Sequence, residues 1–106
     1  MIDKEIIIYS REYWFKIVDF LQQNWALIDE DAQGTSTIFF IYDASGVFDR
    51  IVFPSFYDAQ TGLRKNGFRL YTEDLESQKF IVLPKPPFRE SLHPNGPIDS
   101  SGRFWE

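Results

Sequence analysis

One segment, Thr35 to Tyr42 (TSTIFFIY), constrains the fold more than any other part of the chain. Its residues are mostly β-branched or aromatic, which suits a pleated strand, and apolar side chains fall on both alternating faces. A strand that is apolar on both sides belongs inside a sheet, with material packed over each face. A length of 106 residues sets one domain. Such a chain buries roughly two thirds of its unfolded surface, enough for one core of this kind without disulfide staples.

The remaining elements are read outward from that strand. Ile6 to Tyr9 is short and β-branched, a buried strand by pattern. Ser10 follows in an N-cap position with Glu12 behind it, and the apolar residues Trp14, Ile17, Val18, Leu21 and Trp25 recur at helical spacing. The spacing predicts a helix from about Ser10 to Gln23-Asn24, with Tyr13, Phe15 and Phe20 widening its apolar stripe. Trp25 to Ile28 either continues this helix or opens a strand that ends in the Asp29-Glu30-Asp31 turn.

After the central strand, Asp43 to Gly46 reads as a turn and Val47 to Phe53 as the returning hairpin partner. Phe56 to Lys65 is expected to be a second helix, ended by Asn66-Gly67. Phe68 to Tyr71 reads as a short strand, Thr72 to Glu76 as a turn or a single helical turn that Thr72 can cap, and Lys79 to Leu83 as a last strand. Residues 84–106 hold five of the six prolines and little periodicity. They are expected as an extended Pro-rich tail packed on a domain formed by residues 1–83, anchored by Phe88, Leu92, Ile98, Phe104 and Trp105.

The expected class is therefore α+β: an antiparallel sheet of four to six strands, two helices against it, order β-α-β-β-β-α-β-β, and a docked tail. If Trp25 to Ile28 belongs to the helix, the order becomes a split β-α-β arrangement.

Charge is distributed unevenly. Residues 1–63 hold ten of the sixteen carboxylates against Lys4, Arg11, Lys16 and Arg50, whereas residues 64–106 are nearly balanced, giving −5 in all. Such a field opposes phosphate backbones and favours a basic partner. The aromatic pair Phe39-Phe40 has the look of a base-stacking platform, but its strand carries no Lys or Arg, so no nucleic acid is expected. No apolar run approaches the roughly 18 residues of a membrane span, and Ile6 to Ile8 is too short for a secretory signal. A cytoplasmic protein is expected.

Chemistry-bearing motifs are sparse. With no cysteine and one histidine, His93, the chain offers no thiolate nucleophile and no Cys-based metal site. Asp29-Glu30-Asp31 lacks calcium-loop spacing, and neighbours in an extended segment point to opposite sides, so no cofactor or metal is expected. Asp43 and Asp58 have local roles in a turn and a first helical turn, whereas Asp49 has none that the sequence shows. The candidate partner-binding residues are accordingly Asp29, Glu30, Asp31 and Asp49.

The expected function is a non-enzymatic acidic protein-binding domain, in its sharpest form an immunity-type inhibitor that occludes a basic toxin enzyme such as a nuclease. One alternative is a regulatory or structural interaction domain. Another is a small metal-independent RNase-like enzyme using His93 with Arg89 and Glu90.

Overall fold

The computed structural model describes residues 5–19, 22–42 and 45–90. Its centre is an antiparallel meander of three long strands: β3 (Gln22–Glu30), β4 (Ser36–Tyr42) and β5 (Gly46–Phe53). Strand β4 is indeed interior, with Ile38, Phe40 and Ile41 completely buried. Around this meander the sheet is completed by β1 (Glu5–Ile6), β2 (Trp14–Asp19), β6 (Arg69–Leu70) and β7 (Phe88–Glu90), in the order β1-β7-β5-β4-β3-β2-β6. Strand β7 runs parallel to β5 and antiparallel to β1, so the sheet is mixed. One helix, α1 (Phe56–Lys65), packs over β3, β4 and β5.

Two expectations are corrected here. Among the described residues the molecule is α+β but mostly sheet, seven mixed strands with one helix, rather than two helices on an antiparallel sheet. The segment expected as the first helix is instead β2, paired antiparallel with β3, so that Phe15 faces Trp25 and Trp14 faces Ala26. The physical reason lies in Trp14 and Phe15. Both are completely buried, on opposite faces of a strand covered on both sides, and a two-sided apolar strand mimics helical spacing. Ser10 still makes the local turn its type favours, its Oγ accepting from the Glu12 N–H at 3.2 Å, but no helix follows. Trp25 to Ile28 falls within β3.

Smaller differences follow the same sheet. The strand expected over Lys79 to Leu83 is a single 3-10 turn, Ser77–Lys79, leading into a segment without strand pairing. Phe68 to Tyr71 contracts to the two residues of β6, followed by a 3-10 turn at Tyr71–Glu73 that no side chain caps, Thr72 included. Helix α1 matches its expectation. Ser55 caps it through Oγ to the Asp58 N–H at 3.1 Å. At its far end the Gly67 N–H reaches Arg64 O and the Phe68 N–H reaches Leu63 O, a Schellman motif with Gly67 at φ +90°.

Each face of the sheet has its own core. On the α1 side, Trp14, Ala26, Ile28, Ile38 and Phe40 pack with Ala59 and Leu63 of the helix and with Phe68. On the other side, Phe15, Trp25, Leu27, Phe39, Ile41 and Val47 pack with Ile8, Tyr13 and Phe88. Among the described residues, no helix covers that second core. Residues 7–13 and 71–84 lie over it as irregular chain, pinned by hydrogen bonds from Tyr13 Oη to Pro84 O (2.7 Å) and from Tyr71 Oη to Ile81 O (3.1 Å). Rings of Tyr13, Phe15 and Tyr71 surround Trp25 with centroids 5.7 to 6.0 Å away, mostly tilted or edge-on as aromatic quadrupoles prefer. Among the described residues, no helix is long and apolar enough to cross a membrane. Residues 91–106, and with them most of the expected tail and His93, lie outside the described residues.

Candidate functional site

Strand register gathers three of the four sequence-predicted acids at one end of the sheet. Glu30 is paired with Ser36, and Ser36 with Phe53, so these three residues form one row across β3, β4 and β5. The β3–β4 turn and the junction from β5 into α1 therefore emerge side by side, about 10 Å apart at the usual strand spacing. Residues 29–37 and 51–61, which build this end, contain Asp29, Glu30, Asp31 and Asp58 and no Lys or Arg.

The four acids at this end do different work. Asp29 and Glu30 are consecutive strand residues and so point to opposite faces. The Asp29 carboxylate accepts the Tyr9 and Ser10 N–H groups, both at 2.8 Å, and ties the 7–13 segment onto the sheet. The Asp31 Oδ1 accepts from the Gln33 and Thr35 N–H groups at 2.9 and 3.0 Å, and the Asp31 carbonyl accepts from the Gly34 N–H at 3.1 Å. That is an Asx-type turn closed by Gly34 in the left-handed region, φ +89°. Glu30 is exposed, and no hydrogen bond or ion pair holds its carboxylate among the described residues. Asp58, exposed in the first turn of α1, sits where the helix dipole favours an anion.

Asp49 is not part of this cluster. It lies mid-strand in register with Phe40, next to the bulge where the β4–β5 pairing shifts, and its Oδ1 accepts the Arg50 N–H at 2.8 Å. It stands four positions before Phe53 on β5, roughly 13 Å along the strand. This bulge and hydrogen bond supply the local role that the sequence left open.

Two residues complete the acidic end that the candidate acids alone did not define. Tyr57, 73% exposed, precedes Asp58 on α1, and Tyr9, 83% exposed, is carried by the segment that Asp29 anchors. The readable signal for this grouping was the missing cations of residues 29–37 and 51–61, which becomes a spatial statement only when register is known.

Cations collect at the opposite edge. Arg64 lies over the Trp14 ring at 4.9 Å, Arg69 over Phe15 at 5.6 Å and Lys16 near Phe68 at 6.0 Å, all around β2 and β6. Arg69 also pairs with Asp74 (3.3 Å), and Arg64 with Glu73 (3.5 Å). The described acids thus concentrate without cations at the β3–β4 end, whereas the cations around β2 and β6 lie over rings and two of them are paired with acids. Arg89 and Glu90 are exposed on β7, next to the residues outside the description that include His93. Among the described residues, no group of three His, Cys, Asp or Glu side chains could hold a metal ion. No protein-family model matches the chain, and no curated protein or solved structure matches it.

Proposed function

We propose that this chain acts by binding a basic protein surface with the acidic end of its sheet, and not by catalysis. One observation carries the reading: the β3–β4 turn and the β5–α1 junction bring Glu30, Asp31 and Asp58 together with no cation in either segment. Fields of one sign speed encounter with a partner of the other sign, while aromatic side chains beside them supply desolvated contact. Tyr57 and Tyr9 are the exposed aromatics in position to do so. The sharper form is an inhibitor of the immunity type, occluding a basic enzyme such as a toxin nuclease. That form is supported by net charge alone.

Titration of the isotope-labelled chain with a Lys/Arg-rich peptide tests the site by NMR. Amide shifts are expected to concentrate at Glu30 to Thr35 and Tyr57 to Asp58, and to fade as salt rises through the range where the Debye length falls below about 10 Å. Glu30→Lys with Asp58→Lys is expected to abolish those shifts without unfolding the chain, since both side chains are exposed. Shifts scattered over the surface, or unchanged by the reversals, would sink the proposal. The inhibitor form adds a further requirement, one-to-one loss of a basic enzyme's activity.

A further inference from the structure

We infer that Asn66 is a deamidation site gated by the last turn of α1: the closed turn blocks conversion of its side-chain amide to a carboxylate, and opening of the turn permits it. Asn66-Gly67 joins the two residue types this chemistry favours, an amide side chain and a following residue with no Cβ to hinder approach to its backbone nitrogen. The Gly67 nitrogen gives its proton to water and bonds to Asn66 Cγ. The Cγ–Nδ2 bond breaks, and Nδ2 leaves as ammonia with a proton taken from water. Water then opens the resulting imide at either carbonyl, leaving aspartate or isoaspartate.

The fold holds the pair out of that reaction. Ring closure needs the Gly67 nitrogen to swing beside Asn66 Cβ. At ψ 15° it nearly eclipses the Asn66 nitrogen instead and is turned away from Cβ. The Gly67 N–H donates to Arg64 O at 3.1 Å, so removing its proton also costs a hydrogen bond. The Asn66 amide is itself held, its Nδ2 donating to Gly62 O at 2.9 Å. These locks share one anchor. The Phe68 N–H bonds to Leu63 O at 2.9 Å, and both side chains are buried in the helix-side core. The turn therefore opens only when that packing is given up. Once reaction has occurred the closed turn no longer fits. Aspartate sets a carboxylate against Gly62 O at the negative end of the helix dipole, and isoaspartate lengthens the backbone and moves the Gly67 and Phe68 N–H groups out of register. A transient opening thus becomes a permanent loosening of the end of α1. The inference is independent of the acidic-end proposal, which uses neither residue.

Peptide mapping by mass spectrometry, on the full chain kept at mildly alkaline pH, is the test. Asn66 is expected to convert at least about tenfold more slowly in buffer than in unfolding urea, because in buffer the reaction waits on a local opening. In the urea sample Asn95-Gly96, the chain's other Asn-Gly pair, gives the rate of the same chemistry on unfolded chain. At urea concentrations below the unfolding transition, the Asn66 rate should rise in step with hydrogen exchange of the Gly67 amide. Phe68→Leu, which keeps the site apolar but loosens its packing, should speed both several-fold with the circular dichroism of the fold retained. Asn66→Asp should speed exchange at Gly67 and Phe68, and parent-like exchange there overturns the loosening. Equal Asn66 rates in buffer and urea overturn the gate. So does an Asn66 rate that stays flat while Gly67 exchange accelerates, whether urea or Phe68→Leu drives the opening. If Phe68→Leu fails to fold, the urea series on the parent chain decides alone.

Discussion

Asp29 and Asp31 stand two positions apart, and both carboxylates accept two backbone N–H groups, yet the bonds they make differ in reach. Those of Asp31 close a turn within its own neighbourhood, whereas those of Asp29 span about twenty residues to Tyr9 and Ser10. Losing a charge-assisted acceptor of this kind costs about 1.5–3 kcal/mol per bond at most, less where water can replace it. Asp29→Ala is therefore expected to lower the denaturation midpoint by the equivalent of about 1–3 kcal/mol and to raise amide exchange at Ile8 to Ser10 selectively. Uniform exchange across the chain would show that the segment is held by other means. In the sequence these acids were readable as a charged turn, but their structural work was not, because a hydrogen bond across twenty residues leaves no local pattern. Glu30, between them, makes no such bond among the described residues.

Tyr13 gives a second prediction at this scale. Burial raises its phenol above the ordinary range near 10, with Arg11 opposing more weakly. Its Oη donates to Pro84 O, which only the neutral phenol can do. A raised folded value means the contribution to stability is fully present below the ordinary tyrosine range and is lost as pH climbs through the raised value. Ultraviolet titration should show a late-ionising phenol that Tyr13→Phe removes, and the variant's stability should fall less steeply with pH through the range where that phenol ionises. A variant titrating identically to the parent would contradict this account.

At the level of elements, the two longest apolar stretches fared differently for a physical reason. The central strand was legible because its β-branched and aromatic residues are short-range signals, and α1 was legible because Ser55, Asp58 and Asn66-Gly67 mark its ends. Strand β2 was not legible. Trp14, Ile17 and Val18 recur at helical spacing, and only the sheet pairing of Phe15 with Trp25 shows that both faces needed apolar cover. The alternatives differed in tertiary context, not in local composition. Gly67 illustrates the opposite case, where local backbone demands decide. At φ +90° an added Cβ meets only the Lys16 side chain, nearest atom 3.5 Å away, so the cost of Gly67→Ala is conformational rather than steric. A loss of about 1–2 kcal/mol is expected by denaturant unfolding, with α1 otherwise intact. A neutral substitution would mean the Schellman geometry is not what ends the helix.

For the molecule as a whole, the sheet is not built in chain order. Among the described residues, β1 has no strand neighbour other than β7, and β7 is the link that joins β1 to the meander through two residues of β5. The sequence could not show this, since two- and three-residue strands carry almost no pattern of their own. A chain truncated after Leu83 is expected to lose the Phe88 side chain from the second core and to release residues 5–9 together, seen as exchange-labile amides there while the β3–β4 amides stay protected. Retained protection at Ile6 and Ile8 would show that the first strand docks without its partner.

The same placement has a consequence for how the protein is made. A ribosome emits residues 5–9 some eighty residues before β7, at about 5–20 residues per second. During that interval Ile6, Ile7 and Ile8 have no strand to join, and the closing loop is nearly the whole described chain. The β3–β5 meander can form from local hairpins as it emerges, whereas registration of the first strand is a late, long-range event. The nascent chain therefore carries a β-prone short segment unpaired until β7 emerges, which makes Ile6 to Ile8 the natural grip for a chaperone.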